Sequence, residues 1–125
     1  MAGEQSNYDS SALFELTKCN LHPMILVKNV RGTSSNKCKC GSWKQHWRNY
    51  GGLMMIGCSN VYCNGAAEVG AHVRKVRGSG NKWYIIPLCR SCNGKNTNLS
   101  VWFFTTFVSA NVSETCNKPS SFFSW

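Results

Sequence analysis

After Pro23 the chain is apolar at almost every position from Met24 to Val30, with Lys28 and Asn29 the polar exceptions, and this run predicts a β-strand. Before it, Ser10 to Lys18 predicts a short capped helix; after it, the loop Arg31 to Lys37 breaks the strand. The period then changes. Trp43, Trp47 and Tyr50 recur at i, i+4 and i+7, so Ser42 to Tyr50 predicts a helix capped by Ser42 and stopped by Gly51 and Gly52. Leu53 to Ile56 predicts a brief strand leading to Cys58, and a turn carries the chain on to Cys63. Glu68 to Arg77 and Lys82 to Leu88 predict two more strands. Gly78-Ser79-Gly80-Asn81 lies between them, and its glycines and asparagine accept the positive φ that a hairpin turn demands. A short helix is expected from Cys89, followed by the aromatic stretch Val101 to Val108. For residues 115 to 125 the pattern decides neither order nor disorder. The sum is an α+β chain read as one domain over residues 1 to 125.

Composition narrows this picture. A chain of 125 residues with 42% hydrophobic content can bury one modest core and is not fully disordered. Its 11 glycines and 8 cysteines imply that cross-links, covalent or metallic, help to hold it. The N-terminus is polar, carries Glu4 and Asp9, and is unlike a secretory signal. The expected compartment is therefore reducing, cytoplasmic or nuclear, where closely spaced cysteine pairs are more often metal ligands than disulfides. Two sequon-like triplets, at Asn98 and Asn111, point the other way and keep open a secreted, disulfide-rich, basic protein of defence or toxin type. The run Val101 to Val108 is interrupted by Thr105 and Thr106 and falls well short of the roughly 20 apolar residues that cross a bilayer, so no membrane partner is expected.

Charge is unevenly placed. Of a net +9, thirteen Lys or Arg residues lie between Leu16 and Ser113 against a single acid, Glu68. Such a field draws polyanions, nucleic acid the commonest, with anionic lipid or an acidic protein drawn equally and a merely solubilising surface as the bland alternative. Trp43, Trp47, Tyr50, Trp83, Tyr84, Trp102, Phe103 and Phe104 can stack on exposed bases, but packing is the expected role of most of them in so small a core.

Cys58 and Cys63, then Cys89 and Cys92, form two short-spaced pairs on either side of the expected hairpin. Zinc takes four such ligands in a tetrahedron when a fold brings the pairs together. The order of turn, hairpin and helix resembles a treble-clef zinc finger over residues 58 to 98, with residues 1 to 57 as a helix-strand elaboration packed on it. Cys38, Cys40 and His46, or Cys19 and His22, can contribute to a second zinc, with Cys116 as a late ligand; ordinary buried thiols are the alternative.

Gly-Ala-His-Val at 70 to 73 and Ile-Ile-Pro-Leu-Cys-Arg-Ser-Cys-Asn at 85 to 93 resemble the ββα-metal centre of HNH, or His-Me finger, endonucleases. The resemblance covers less than a third of the chain. It implies His72 as the base that activates water, Asn93 as ligand of a catalytic Mg2+ or Mn2+, and Cys58, Cys63, Cys89 and Cys92 as ligands of a structural Zn2+. Arg74, Lys75, Arg77, Lys82, Arg90 and Lys95 would then hold phosphates. The chain departs from the family at Ala71, where many members have an aspartate, and it lacks a clear central asparagine, for which Asn81 is a displaced candidate. Two functions are thus expected: metal-dependent hydrolysis of nucleic acid, or a non-catalytic zinc module that binds nucleic acid or protein.

Overall fold

The computed structural model describes residues 24–33, 36–78 and 80–117. The expected helix at Ser10 to Lys18, Cys19 and His22 lie outside the described residues. Strand β1 (Met24–Asn29) ends one residue short of the expected run, because Val30 already turns away to give its N–H to the His72 carbonyl at 3.0 Å. Helix α1 (Trp43–Gly51) is capped as its sequence requires: the Ser42 hydroxyl accepts from Gln45 N–H at 3.0 Å, and Gly52 closes the helix at φ +69°.

Strands β2 (Val69–Lys75) and β3 (Tyr84–Leu88) form the expected hairpin, with Gly78 and Gly80 at positive φ in its connection. The short helix α2 (Arg90–Asn93) follows at once, and Cys89 is its N-cap. The aromatic stretch is divided. Strand β4 (Leu99–Trp102) ends in a turn closed by Thr105 N–H on the Trp102 carbonyl, and strand β5 (Val108–Ser109) starts beyond it. A 3-10 turn spans Val112–Glu114.

Leu53 to Ile56 forms no strand. Leu53, Met54 and Ile56 are 56%, 70% and 75% exposed, and among the described residues the segment meets no strand, its end pairing only through Ala67 N–H on the Ile56 carbonyl and the Gly57–Ala66 bridge. Apolar character alone misled there, since a strand needs a partner as well as a pattern.

All five strands join one antiparallel sheet in the order β4-β1-β2-β3-β5. Alternation divides its faces. On one face Val27, Ala71, Val73, Ile86 and Leu88 pack with Leu99, Val101 and three cysteines of the short-spaced pairs. On the other, Ile85 and Val108 pack under Trp47 of α1. Helix α1 is tied there by two long-range bonds: Trp47 Nε1 donates to the Thr106 carbonyl at 2.8 Å, and His46 Nε2 meets the Ser109 carbonyl at 3.0 Å. The buried residues of α1 are accordingly His46 and Trp47, with Trp43 half-buried beside them and Tyr50 displaced to the rim at 41% exposure. No helix among the described residues is long and apolar enough to cross a membrane.

Candidate metal centre and adjoining cleft

The loop carrying the first cysteine pair is stitched on three sides. Cys58 N–H bonds the Gly65 carbonyl and Cys63 N–H bonds the Asn60 carbonyl, which close the turn. Ser59 N–H reaches the Pro87 carbonyl at the end of β3, and Val61 N–H reaches the Ser100 carbonyl of β4. The second pair is placed by α2: the Cys89 sulfur accepts from Cys92 N–H at 3.3 Å, one helical turn on. These constraints bring the sulfurs of Cys58, Cys63, Cys89 and Cys92 within 4.8 Å of one another. All the described cysteines are free thiols.

The spacing fits a tetrahedral ion. With metal–sulfur bonds of about 2.3 Å, two thiolates of a zinc tetrahedron stand about 3.8 Å apart. Cys63 and Cys89 stand at 3.8 Å. The sulfurs are also surrounded by donors that favour negative charge. Gly65 N–H points at Cys63, Cys92 N–H at Cys89, and Asn60 Nδ2 at Cys92, each at 3.3 Å. Burial acts against them, raising the Cys58 thiol to about 12 and raising Cys92, whereas the Cys92 N–H lowers Cys89. Four clustered thiolates, three of them buried, would repel one another without a cation. A dication bound at their centre reverses that balance, and this cluster can hold one.

A second group, Cys38, Cys40 and His46, also places one ligand atom from each residue within 4.8 Å of the others, at the entry to α1. The Cys40 sulfur stands 3.6 Å from His46 Nδ1.

On the α1 face of the sheet, His72 and Asn93 line one open cleft of about 410 Å3, together with Glu68, Arg90, Trp43 and Lys44. His72 comes from the middle of β2 and Asn93 from the last turn of α2. His72 is 6% exposed and packs edge-on beneath Trp43, with ring centroids 4.4 Å apart. Burial, and then the neighbouring His46, lower its pKa to about 4, so the imidazole is neutral at physiological pH. Gly70 lets α1 come this close: a Cβ there would lie 2.4 Å from the Trp43 backbone carbonyl. Ala71, 1% exposed, faces the opposite core and brings nothing to the cleft beyond its backbone.

Of the six basic residues named from the sequence, Arg90 lines the cleft, paired with Glu68 at 3.3 Å. Arg74 alternates with His72 on the same face of β2 and is exposed, whereas Lys75 points to the other face, 5.0 and 4.6 Å from the ring centres of Tyr84 and Phe107. Lys82 lines a different hollow, with Asn81 and Trp83, near the hairpin connection. Arg77 follows β2 on the surface, and the Lys95 carbonyl accepts from Asn29 Nδ2. Glu68 and Lys44 belong to the cleft and were not singled out for it. Glu68 had a signal in the sequence, as the sole acid of the basic middle, two residues before Gly70. The aromatics also split. Trp47 is buried, but Trp102, Phe103 and Phe104 are 38%, 53% and 67% exposed, with Trp102 and Phe104 stacked at 5.7 Å.

Comparison with known proteins gives no matching family model, no matching curated protein and no matching solved structure.

Proposed function

We propose that the chain is a zinc-stapled, metal-dependent endonuclease of the HNH type, a treble-clef ββα centre that hydrolyses phosphodiester bonds in DNA or RNA. The observation that carries this reading is the meeting of His72 and Asn93, from different elements, in one open cleft. Behind it, on the other face of β2, the cysteine cluster offers a structural zinc site.

His72 is kept neutral by burial and so holds a free lone pair at pH 7, the form a general base requires. It would take the proton from a water attacking phosphorus. A base with a pKa near 4 has modest driving force, so the cleft must also relieve charge on the phosphate. Arg90 and Lys44 line the same walls and can contact phosphate oxygens, and Arg74 extends that positive surface along β2. The oxygen donors present, the Asn93 side-chain carbonyl and the Glu68 carboxylate, suit a hard cation. A Mg2+ or Mn2+ held there would supply positive charge against the phosphate and the leaving oxygen.

The test is nicking of supercoiled plasmid by purified protein with Mg2+ or Mn2+, beside His72→Ala shown to retain its zinc. Cutting by the wild type alone supports the reading. If DNA and RNA are both left intact, the second reading stands: a non-catalytic zinc module that grips nucleic acid or a protein partner with the same basic surface. That reading draws on Ala71, which leaves His72 without an adjoining acid, and on the cover of Trp43 over the imidazole.

A further inference from the structure

The entry to α1 gathers more chemistry than a helix cap needs. Cys38 and Cys40 precede the helix and His46 lies in its first turns, with one ligand atom from each within 4.8 Å of the others. His46 is fully buried, and its ring is oriented from behind. Its Nε2 meets the Ser109 carbonyl at 3.0 Å. A carbonyl can only accept, so Nε2 is the nitrogen that carries a proton there, and Nδ1 is the one turned towards Cys40. This is the usual way in which a backbone oxygen fixes a metal-ligating histidine. The Cys40 sulfur and Nδ1 are 3.6 Å apart. In a zinc tetrahedron with bonds of about 2.3 Å to sulfur and about 2.0–2.1 Å to nitrogen, that edge is about 3.6 Å.

Three ligands leave one corner, and the chain brings a fourth sulfur to it from far away. Cys116 follows the Val112–Glu114 turn, and its sulfur accepts the N–H of Lys39, the residue between Cys38 and Cys40, at 3.4 Å across 77 positions of sequence. Burial raises the Cys40 thiol, with Cys116 and Cys38 adding to it, and the Tyr50 hydroxyl is raised by burial first and then by Cys40, Cys116 and Cys38. Cys38, Cys40 and His46 thus form the compact group; the Cys116 sulfur borders it on the Lys39 N–H, outside the 4.8 Å that the other three share, and a bound ion would have to draw it in.

We propose that Cys38, Cys40, His46 and Cys116 form a second zinc site, which clips the C-terminal segment to the start of α1. Three thiolates and one imidazole are a donor set suited to tetrahedral Zn2+. The site is structural, because all four corners are filled by protein. It holds the helix that carries Trp43 over His72, and it does not depend on what the cleft does.

The metal content of the full chain, purified without chelator, decides it: two zinc ions per chain are expected, one at each cluster. One zinc per chain overturns the proposal, and so does one zinc with a disulfide among Cys38, Cys40 and Cys116 in the intact mass. With one zinc and free thiols, Cys40 merely donates a thiol hydrogen bond to His46. Cobalt reconstitution of the wild type should show charge-transfer intensity for seven thiolate bonds, where the Cys58 cluster alone would give four. Cys116→Ser should release one metal to a mild chelator while the other stays bound. Retention of both metals at unchanged chelator resistance would refute Cys116 as the fourth ligand.

Discussion

Replacing Gly70 by alanine tests the closest approach between α1 and the sheet. Gly70 does not need positive φ, so the effect of Gly70→Ala is steric. The added Cβ would stand 2.4 Å from the carbonyl carbon and oxygen of Trp43 and 2.7 Å from Lys44 N. Carbon contacts sit at about 3.5–4.0 Å, so the start of α1 has to withdraw by about 1 Å. These neighbours are backbone atoms in the first helical turn, and no rotamer change can relieve them. The withdrawal lifts Trp43 from His72 and strains the bonds of His46 and Trp47 to Ser109 and Thr106. Overpacking costs about 1–3 kcal/mol, and a site walled by backbone belongs at about 3. The reduced entropy of the unfolded alanine chain returns about 0.4–1 kcal/mol, leaving a net loss of about 2. For a domain of this size that lowers the melting temperature by about 8 °C. Thermal and urea unfolding with zinc saturating would measure it. The zinc of the Cys58 cluster should not change, since that cluster lies on the far face of β2. An alanine variant within about 0.5 kcal/mol of wild type would refute the close approach.

Two further perturbations read other contacts. His72 has a folded pKa of about 4 against 6.5 in the free side chain, so on acidification the unfolded chain takes up the proton first. The resulting loss of stability is absent above pH 6.5 and grows as pH falls towards 4, to at most about 3 kcal/mol. His72→Phe should lack this component, so its urea midpoint should fall less steeply than the wild type's between pH 6.5 and 4.5; equal slopes would contradict the burial of His72. Asn29 donates from Nδ2 to the carbonyls of Cys92 and Lys95, both at 2.9 Å, while its Oδ1 is buried without a partner. Asn29→Ala should cost about 2 kcal/mol by removing two hydrogen bonds, and Asn29→Asp more, by setting a carboxylate against carbonyl oxygens. An Asp variant as stable as Asn would show that these bonds are not formed.

What the sequence disclosed was local, and what it withheld depended on distant chain. The Ser42 cap, the glycine stop after α1 and the Gly78–Gly80 connection act within a few residues, so their patterns were sufficient. The two cysteine pairs were readable because each short spacing already implies a turn that aims two sulfurs one way. Leu53 to Ile56 had the composition of a strand but meets no strand among the described residues. Val101 to Val108 looked like one apolar run, and only the pairing of β4 with β1 and of β5 with β3 divides it. Helical periodicity favoured Tyr50 for the buried face of α1, yet His46 is the buried residue, because Ser109 and Cys40 satisfy both its ring nitrogens. Glu68 and Lys44 entered the cleft through the placement of α1 on β2, which no local pattern encodes.

The position of β1 bears on how portable the metal-binding half is. This strand lies between β2 and β4, bonding β4 along Met24–Val27 and β2 along Val27–Asn29. A peptide cut to residues 58–98 would lose both β1 and β4. It would leave β2 as a bare edge with Ala71 and Val73 uncovered, a template for association with other chains. The cysteine cluster therefore does not behave as a bead on a string that can be transplanted with its metal. Chain from before and after it acts as its molecular chaperone, and any graft or minimised design would have to carry β1 along.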